Sequence, residues 1–287
     1  MDRAKPFDGK AARFGSAAPS GVDTAALKQA SSVGIAVMAK ASKPGLTKTR
    51  LVPPLTYDEA AALNTAFLHD VTDNMLRASD RAAHARIEGY AAYGPPGSEE
   101  FFRRNFPPSI GLFEAWQPNF GDCLYHTICA ILGRGHVGAV VLNADSPSLP
   151  AALLVETAEM LARPGDRAVL GPSSDGGYYL LGLKAAHRRM FEDITWSTAC
   201  VAEQTRERAR QIGLEMHVLP EWYDVDDVAT LRRLYAEICA DGPAVRQGAA
   251  ASAQNARHTA ALFNRLWPHG DFSRRADNFT EIEQAAV

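Results

Sequence analysis

Four cations, Lys40, Lys43, Lys48 and Arg50, share one short stretch, KASKPGLTKTR, in which Gly45 lets the backbone come close to a ligand. Ammonium and guanidinium groups gathered on a loop can neutralise phosphate oxygens. The stretch matches neither G-x-G-x-x-G nor G-x-x-x-x-G-K-[ST], so the dinucleotide and P-loop motifs are absent. Charge alone also describes a solvated loop, and on that ground the solvated loop is the simpler reading.

The acids that would complete a phosphate site lie far away in sequence. Asp145, in LNADSP, leaves an apolar run; a carboxylate there can hold a divalent cation that bridges to substrate phosphates. Asp145 or Ser146 could equally cap a turn. In WYDVDDVATL, three acids, Asp224, Asp226 and Asp227, stand where a helix cap needs one. If Asp145 and Asp226 converge on one sheet edge, they clamp a single Mg²⁺ or Mn²⁺. A fourth stretch, GPSSDGGYYLLGL, places Gly176 and Gly177 after Asp175. Paired glycines permit positive φ and clear the path of a ligand, while Tyr178 and Tyr179 could line a sugar or base pocket. Asp-Gly is also the usual hairpin turn.

These residues need a frame that gathers loops. The apolar run VGIAVMA (33–39) reads as a buried strand running into the cationic loop. Thr56 and Glu59 form a capping box ahead of Leu63, Phe67, Val71 and Met75, which recur every fourth residue as one apolar stripe of a helix. Strand-like ARIEGYAAYG, a short helix from Ser98, strand-like SIGLFEAW and a helix from about Gly121 follow. Then come the central strand 137–142, a helix over 151–162, strand-like RAVLGP, and the DGG turn feeding another strand. A helix over about 199–212, strand-like LEMHVLP, and a helix carrying Val228, Leu231, Tyr235 and Ile238 close the series. Strands alternating with helices imply parallel crossovers, and such sheets bind ligands beyond the carboxyl ends of their strands.

Composition narrows the rest. The chain has 287 residues, 46% apolar and 22% charged, as globular proteins do. A net charge of −3 argues against a nucleic-acid partner held by bulk electrostatics. Cys123, Cys129, Cys200 and Cys239 make no C-x-x-C pair, which argues against a zinc site or a disulfide framework and fits a reducing cytoplasm. No apolar run reaches membrane-span length, and the first 32 residues lack a secretory stretch. H-E-x-x-H and G-x-S-x-G are missing. The expected organisation is a disordered leader (1–32), one domain (33–241), and a tether ending in a short helix near Ala260 (242–287). Oligomeric state has no signature here.

AVMAKASKPGLTKTRLVPPLT, NADSPSLP, LGPSSDGGYYLLGL, WST and DVDDVATL occur in the order seen in the radical-SAM/selenodomain-associated transferases, sometimes labelled arsenosugar-biosynthesis glycosyltransferases. The resemblance covers about residues 33–240 and rests on the motifs in combination. That family is similar to the GT-A nucleotide-diphospho-sugar transferases, and its first loop also resembles that of 2-phospholactate guanylyltransferases. The resemblance implies an α/β, Rossmann-like GT-A domain, with a mostly parallel central sheet and helices on both faces. It implies a nucleotide at Met38, Ala39, Lys40, Gly45, Lys48 and Arg50, with Lys48 and Arg50 meeting the phosphates. Asp145 would match the metal-binding acid and Asp226 the later acid of DVDTPED. Two departures stand out: GDCLYHT replaces Gly-Asp-Leu-Gly-x-Arg, and DVDDVATL replaces DVDTPEDL.

The combined expectation is a metal-dependent glycosyltransferase using Mg²⁺ or Mn²⁺, moving a sugar from a nucleotide-sugar to a small-molecule acceptor. Asp175 is the candidate acceptor base, with Lys48 and Arg50 stabilising the leaving diphosphate. Gly176, Gly177, Tyr178, Trp196 and Ser197 are the candidate acceptor or sugar contacts. One alternative is a nucleotidyltransferase joining NTP to a phosphorylated or carboxylated small molecule with release of pyrophosphate. Another is a non-catalytic nucleotide-binding protein.

Overall fold

The computed structural model describes residues 31–239, 254–268 and 272. The expected leader therefore lies outside the described residues, apart from its last two positions, as does most of the expected tether.

Among the described residues, seven strands form one sheet: β1 (Ser32–Lys40), β2 (Arg86–Gly94), β3 (Gly111–Glu114), β4 (Gly138–Leu142), β5 (Arg167–Pro172), β6 (Tyr178–Leu183) and β7 (Glu215–Val218). Their order across the sheet is β3-β2-β1-β4-β6-β5-β7. All pairs are parallel except those of β6, which runs antiparallel to both β4 and β5. The cause is local: Asp175 and Gly176 turn the chain straight back from β5 into β6, leaving no room for a crossover helix. The hairpin reading of Asp-Gly and the ligand-loop reading thus apply to the same turn.

Helices cover both faces. On one side lie α1 (Tyr57–Arg81), α2 (Glu99–Asn105) and α4 (Ala151–Ala162), with Val71, Met75, Phe102 and Leu154 packed against Val33, Ile35 and Val140. On the other lie α3 (Phe120–Leu132) and α5 (Val201–Gln211), with Leu124, Ile128 and Ala202 against Ala36, Val141 and Leu181. The capping box at the start of α1 is formed: Thr56 accepts from the Glu59 N–H, and Glu59 accepts from the Thr56 N–H at 2.7 Å. Its i+4 stripe is buried throughout, Leu63, Phe67, Val71 and Met75 being at most 3% exposed. The strand expected in SIGLFEAW is shorter, and Trp116 is 55% exposed and lies over Gly94.

A third apolar cluster holds the site from behind. It joins Leu51 and Leu55 after the cationic loop, Phe67 of α1, Tyr223 and Val225 before α6 (Val228–Cys239), and Phe263 and Trp267 at α7 (Arg257–Leu266). Asp70, wholly buried on α1, accepts hydrogen bonds at the start of α7 from the His258 N–H (2.7 Å), the Thr259 N–H (2.9 Å) and the Thr259 hydroxyl (2.6 Å). Among the described residues, no helix is long and apolar enough to cross a membrane.

Candidate nucleotide and metal site

A cavity of about 600 Å³ opens at the carboxyl end of the sheet. One wall comes from the loop after β1. There Gly45 takes φ +76°, the Leu46 N–H donates to the Lys43 carbonyl, and Lys40 Nζ donates to the Leu46 carbonyl, which curls the loop over itself. Asn64 on α1 fixes its base, donating to the Lys40 carbonyl (3.1 Å) and to Ser42 Oγ (2.8 Å). Lys48 then adopts φ 51°, the left-handed region that non-glycine residues rarely enter, and a 3₁₀ turn follows at Thr49–Leu51.

That backbone geometry sends the Lys48 side chain inward. Its Nζ lies 2.6 Å from Asp145 Oδ1 and 3.0 Å from Asp226 Oδ1, and donates to the Val225 carbonyl at 2.6 Å. Burial alone would depress this ammonium, but the Asp145 and Asp226 carboxylates outweigh burial and hold it above the ordinary lysine range. Arg50 stays 76% exposed, 3.7 Å from Asp226 Oδ2.

Two acids from distant loops meet because the loops are laced together. The Val225 N–H donates to the Asp145 carbonyl (2.9 Å), and Ser146 Oγ donates to the Tyr223 carbonyl (2.9 Å). After β7 the chain is also tied to β5, through the Trp222 N–H to the Pro172 carbonyl. Of the three acids before α6, Asp227 does the capping, accepting from the Thr230 N–H at 2.8 Å. Asp224 lines the cavity, and burial, followed by the charges of Asp175, Asp226 and Asp145, pushes its carboxyl up to about 6.

The remaining wall joins the β5–β6 turn to the segment before α5. Asp175 Oδ1 accepts from the Gly177 N–H at 2.8 Å, closing the turn. Gly176 has φ +88°, and a Cβ there would sit 2.1 Å from the Ala199 carbonyl oxygen, so only glycine lets the two segments touch. Ser197 is left-handed at φ 63°. Trp196 meets Phe120 edge-on (5.3 Å) and Tyr178 at 6.4 Å, forming an aromatic side to the cavity.

The cavity thus gathers Met38, Lys40, Lys48, Arg50, Asp145, Asp175, Gly177, Tyr178, Trp196, Ser197 and Asp226 from the sequence reading. Three residues of that reading lie outside its lining. Ala39 is 6% exposed in the core on the opposite sheet face, Gly45 is in the outer curl of the loop, and Gly176 is pressed against Ala199. The GDCLYHT stretch, whose glycine and arginine are altered, is the first part of α3 and contributes Leu124 to the lining, next to Phe120. Asn64, Phe120, Asn143, Ser173 and Asp224 were not singled out as ligand contacts. Asn64 carries no pattern that would find it, whereas Asn143 and Ser173 lie within the quoted motifs.

The donor set can be tested against a divalent ion. Among the described residues, no three His, Cys, Asp or Glu side chains are grouped to hold a metal. Two hard carboxylate oxygens nevertheless converge on one point, and that point is held by a positive charge, Lys48 Nζ. Mg²⁺ needs one or two protein carboxylates when substrate phosphates supply further oxygens, so Asp145 and Asp226 fit such an ion.

The sheet order, the antiparallel strand β6 and the loop-built cavity define an α/β, Rossmann-like GT-A fold. At 27% identity and a TM-score of 0.66, the chain is similar to a protein assigned as a nucleotide-diphospho-sugar transferase from Desulfovibrio desulfuricans G20, over 82% of this chain and 98% of that one. Two more distant structures have TM-scores below 0.5. One is a cytidylyltransferase from Leptospira borgpetersenii serovar Hardjo-bovis (strain JB197), with 10% identity, a TM-score of 0.47, and coverage of 81% and 96%. The other is glucosyl-3-phosphoglycerate synthase from Mycobacterium tuberculosis in complex with Mn²⁺, UDP and glucosyl-3-phosphoglycerate, with 9% identity, 0.45, and coverage of 84% and 87%. The bacterial family DUF2064, described as an uncharacterized protein conserved in bacteria, matches residues 76–198. No curated protein matches the chain.

Proposed function

We propose that this protein is a nucleotide-dependent transferase, and that it moves a sugar from a nucleotide-sugar to a small-molecule acceptor. The observation that carries the reading is the meeting of Asp145, Asp226 and Lys48 at one point of the cavity, with Lys40 and Arg50 on the same rim. Similarity to the Desulfovibrio protein supports the transferase class, and the motif resemblance to the radical-SAM/selenodomain-associated transferases supports the sugar.

The donor diphosphate would lie along the loop after β1, against Lys40, Lys48 and Arg50. Asp145 and Asp226 would hold a divalent ion, which when bound would supply positive charge to the diphosphate. Lys48 can leave its acid partners for a phosphate oxygen, since both offer it an anionic acceptor. Transfer forms a bond from the acceptor oxygen to the anomeric carbon and breaks the bond from that carbon to the diphosphate. The acceptor proton passes to a carboxylate, for which Asp175 is our candidate, and the diphosphate leaves with its charge stabilised by Lys48 and Arg50.

Nucleotidyl transfer is the second reading, favoured by three cations on one loop, because a triphosphate carries more charge than a diphosphate. A product assay separates the two. Incubation with sugar nucleotides and candidate acceptors should release nucleoside diphosphate, with activity abolished by chelation and by Asp145→Ala. Pyrophosphate released from NTP would favour nucleotidyl transfer, and turnover unchanged in Asp145→Ala would remove that acid from the site.

A further inference from the structure

Three residues that line the cavity each carry a buried polar atom with no hydrogen-bond partner among the described residues: Asn143 Oδ1, Ser173 Oγ and the Tyr178 hydroxyl. Buried polar groups are nearly always paired, so three orphans in one lining need an explanation. They belong to three neighbouring strands. Asn143 follows β4 and its N–H donates to the Tyr179 carbonyl; Tyr178 opens β6; Ser173, 4% exposed, follows β5, whose last residue pairs with Tyr178. The three residues therefore follow one another across the carboxyl end of the sheet's β4 and β5 and the start of β6, in the strand order β4, β6, β5.

Charge is divided unevenly around them. Among the described residues, the cations in the lining are Lys40 at the end of β1 and Lys48 and Arg50 on the loop that follows it. The part formed by Phe120, Tyr178 and Trp196 has none, and Asp175 and Asp224 border the cavity as well. A phosphate or carboxylate placed beside Tyr178 would meet Asp175, which closes the turn into β6, with no described cation on that wall.

We infer that Asn143, Ser173 and Tyr178 form a subsite for an uncharged polyhydroxylated group: a sugar, sugar alcohol or cyclitol moiety without phosphate or carboxylate. Two rotatable hydroxyls and an amide match adjacent alcohols, each of which both donates and accepts. The rings of Tyr178 and Trp196 offer apolar faces to the C–H side of such a group. The inference rests on the transferase reading and deepens it. Asp175 and Asp224 turn it against the anionic acceptors that nucleotidyl transfer was expected to use.

Calorimetric titration with Mn²⁺ present tests it in two arms. In the first, UDP, GDP, CDP and ADP are compared with UDP-glucose, GDP-mannose and ADP-glucose on the native protein, Tyr178→Phe, Ser173→Ala and Asn143→Leu. In the second, protein saturated with the best diphosphate is titrated with glucose, glycerol and myo-inositol, and with glucose 6-phosphate and glycerol 3-phosphate. If the group is the donor sugar, the sugar nucleotide binds more tightly than its parent diphosphate, and each variant narrows that gap by roughly 3- to 10-fold with the diphosphate affinity unchanged. If it is the acceptor, the neutral polyols bind in preference to their phosphates and the variants weaken them similarly. Melting temperatures of the variants confirm folding. Preference for the phosphates, a gap the variants do not alter, or silence in both arms overturns the subsite while diphosphate binding persists. Failure of every diphosphate to bind overturns the transferase reading, and this one with it.

Discussion

An ammonium has three N–H bonds, and Lys48 uses them on Asp145, Asp226 and the Val225 carbonyl, so it is saturated where it stands. A divalent ion seeking the same two carboxylates must displace it, which makes metal binding and nucleotide binding mutually supporting: phosphate oxygens give Lys48 an alternative partner. In Lys48→Met, the ligand-free protein should therefore bind Mn²⁺ more tightly than the native protein, and nucleoside diphosphates more weakly. Both are read by electron paramagnetic resonance of free Mn²⁺ with and without UDP or GDP. Stability should fall by about 1–3 kcal/mol, less than for a fully buried pair, because Asp145 and Asp226 are 34% and 43% exposed and water compensates them. An unchanged Mn²⁺ affinity would show that Lys48 does not compete for the acids.

At the scale of elements, the docking of α7 on α1 carries a titration. Asp70 is pushed up to about 6 by burial, against the hydrogen bonds it accepts from Thr259 and His258. Asp73, Arg77, Arg257 and His258 share this surface, and burial holds His69 below its usual range. A carboxyl whose folded pKa lies above its unfolded value near 3.8 favours folding most in acid. That contribution is lost as pH rises through about 6. Asn in place of Asp70 cannot titrate. The melting temperature of Asp70→Asn relative to the native protein should therefore rise between pH 4 and 7, by an amount equivalent to about 3 kcal/mol. A gap independent of pH would contradict this account of Asp70. Legibility in the sequence divides at this same scale. The capping box of Thr56 and Glu59 and the stripe through Met75 are local patterns, and they could be read directly. The reversal of β6 was only one of two meanings of Asp-Gly. Asn64, which clamps the cationic loop, has a partner determined by the fold and not by spacing. The insertion of Lys48 between the acids depends on a left-handed backbone at a lysine, which no residue preference announces.

For the whole molecule, the three apolar clusters explain why the site has its form. Two lie on either face of the sheet and fix the strand ends. The third, built from α1, α6, α7 and the loops bearing Leu51 and Val225, supports Lys48 and Asp226 from beneath. The alternation of strands and helices made this architecture readable, while the bonds from Val225 to Asp145 and from Ser146 to Tyr223 decide that loops after β4 and β7 share one point. The central claim is that this point is a cation and diphosphate site. Calorimetric titration of UDP, GDP, CDP and ADP with Mn²⁺, into native protein, Asp145→Ala and Asp226→Ala, tests it most directly. The native protein should bind at least one diphosphate in a Mn²⁺-dependent manner, weakened roughly 100-fold or more in each folded variant, in keeping with loss of a charge-bearing ligand. Diphosphate binding that is equally tight in both variants, or indifferent to Mn²⁺, would contradict it.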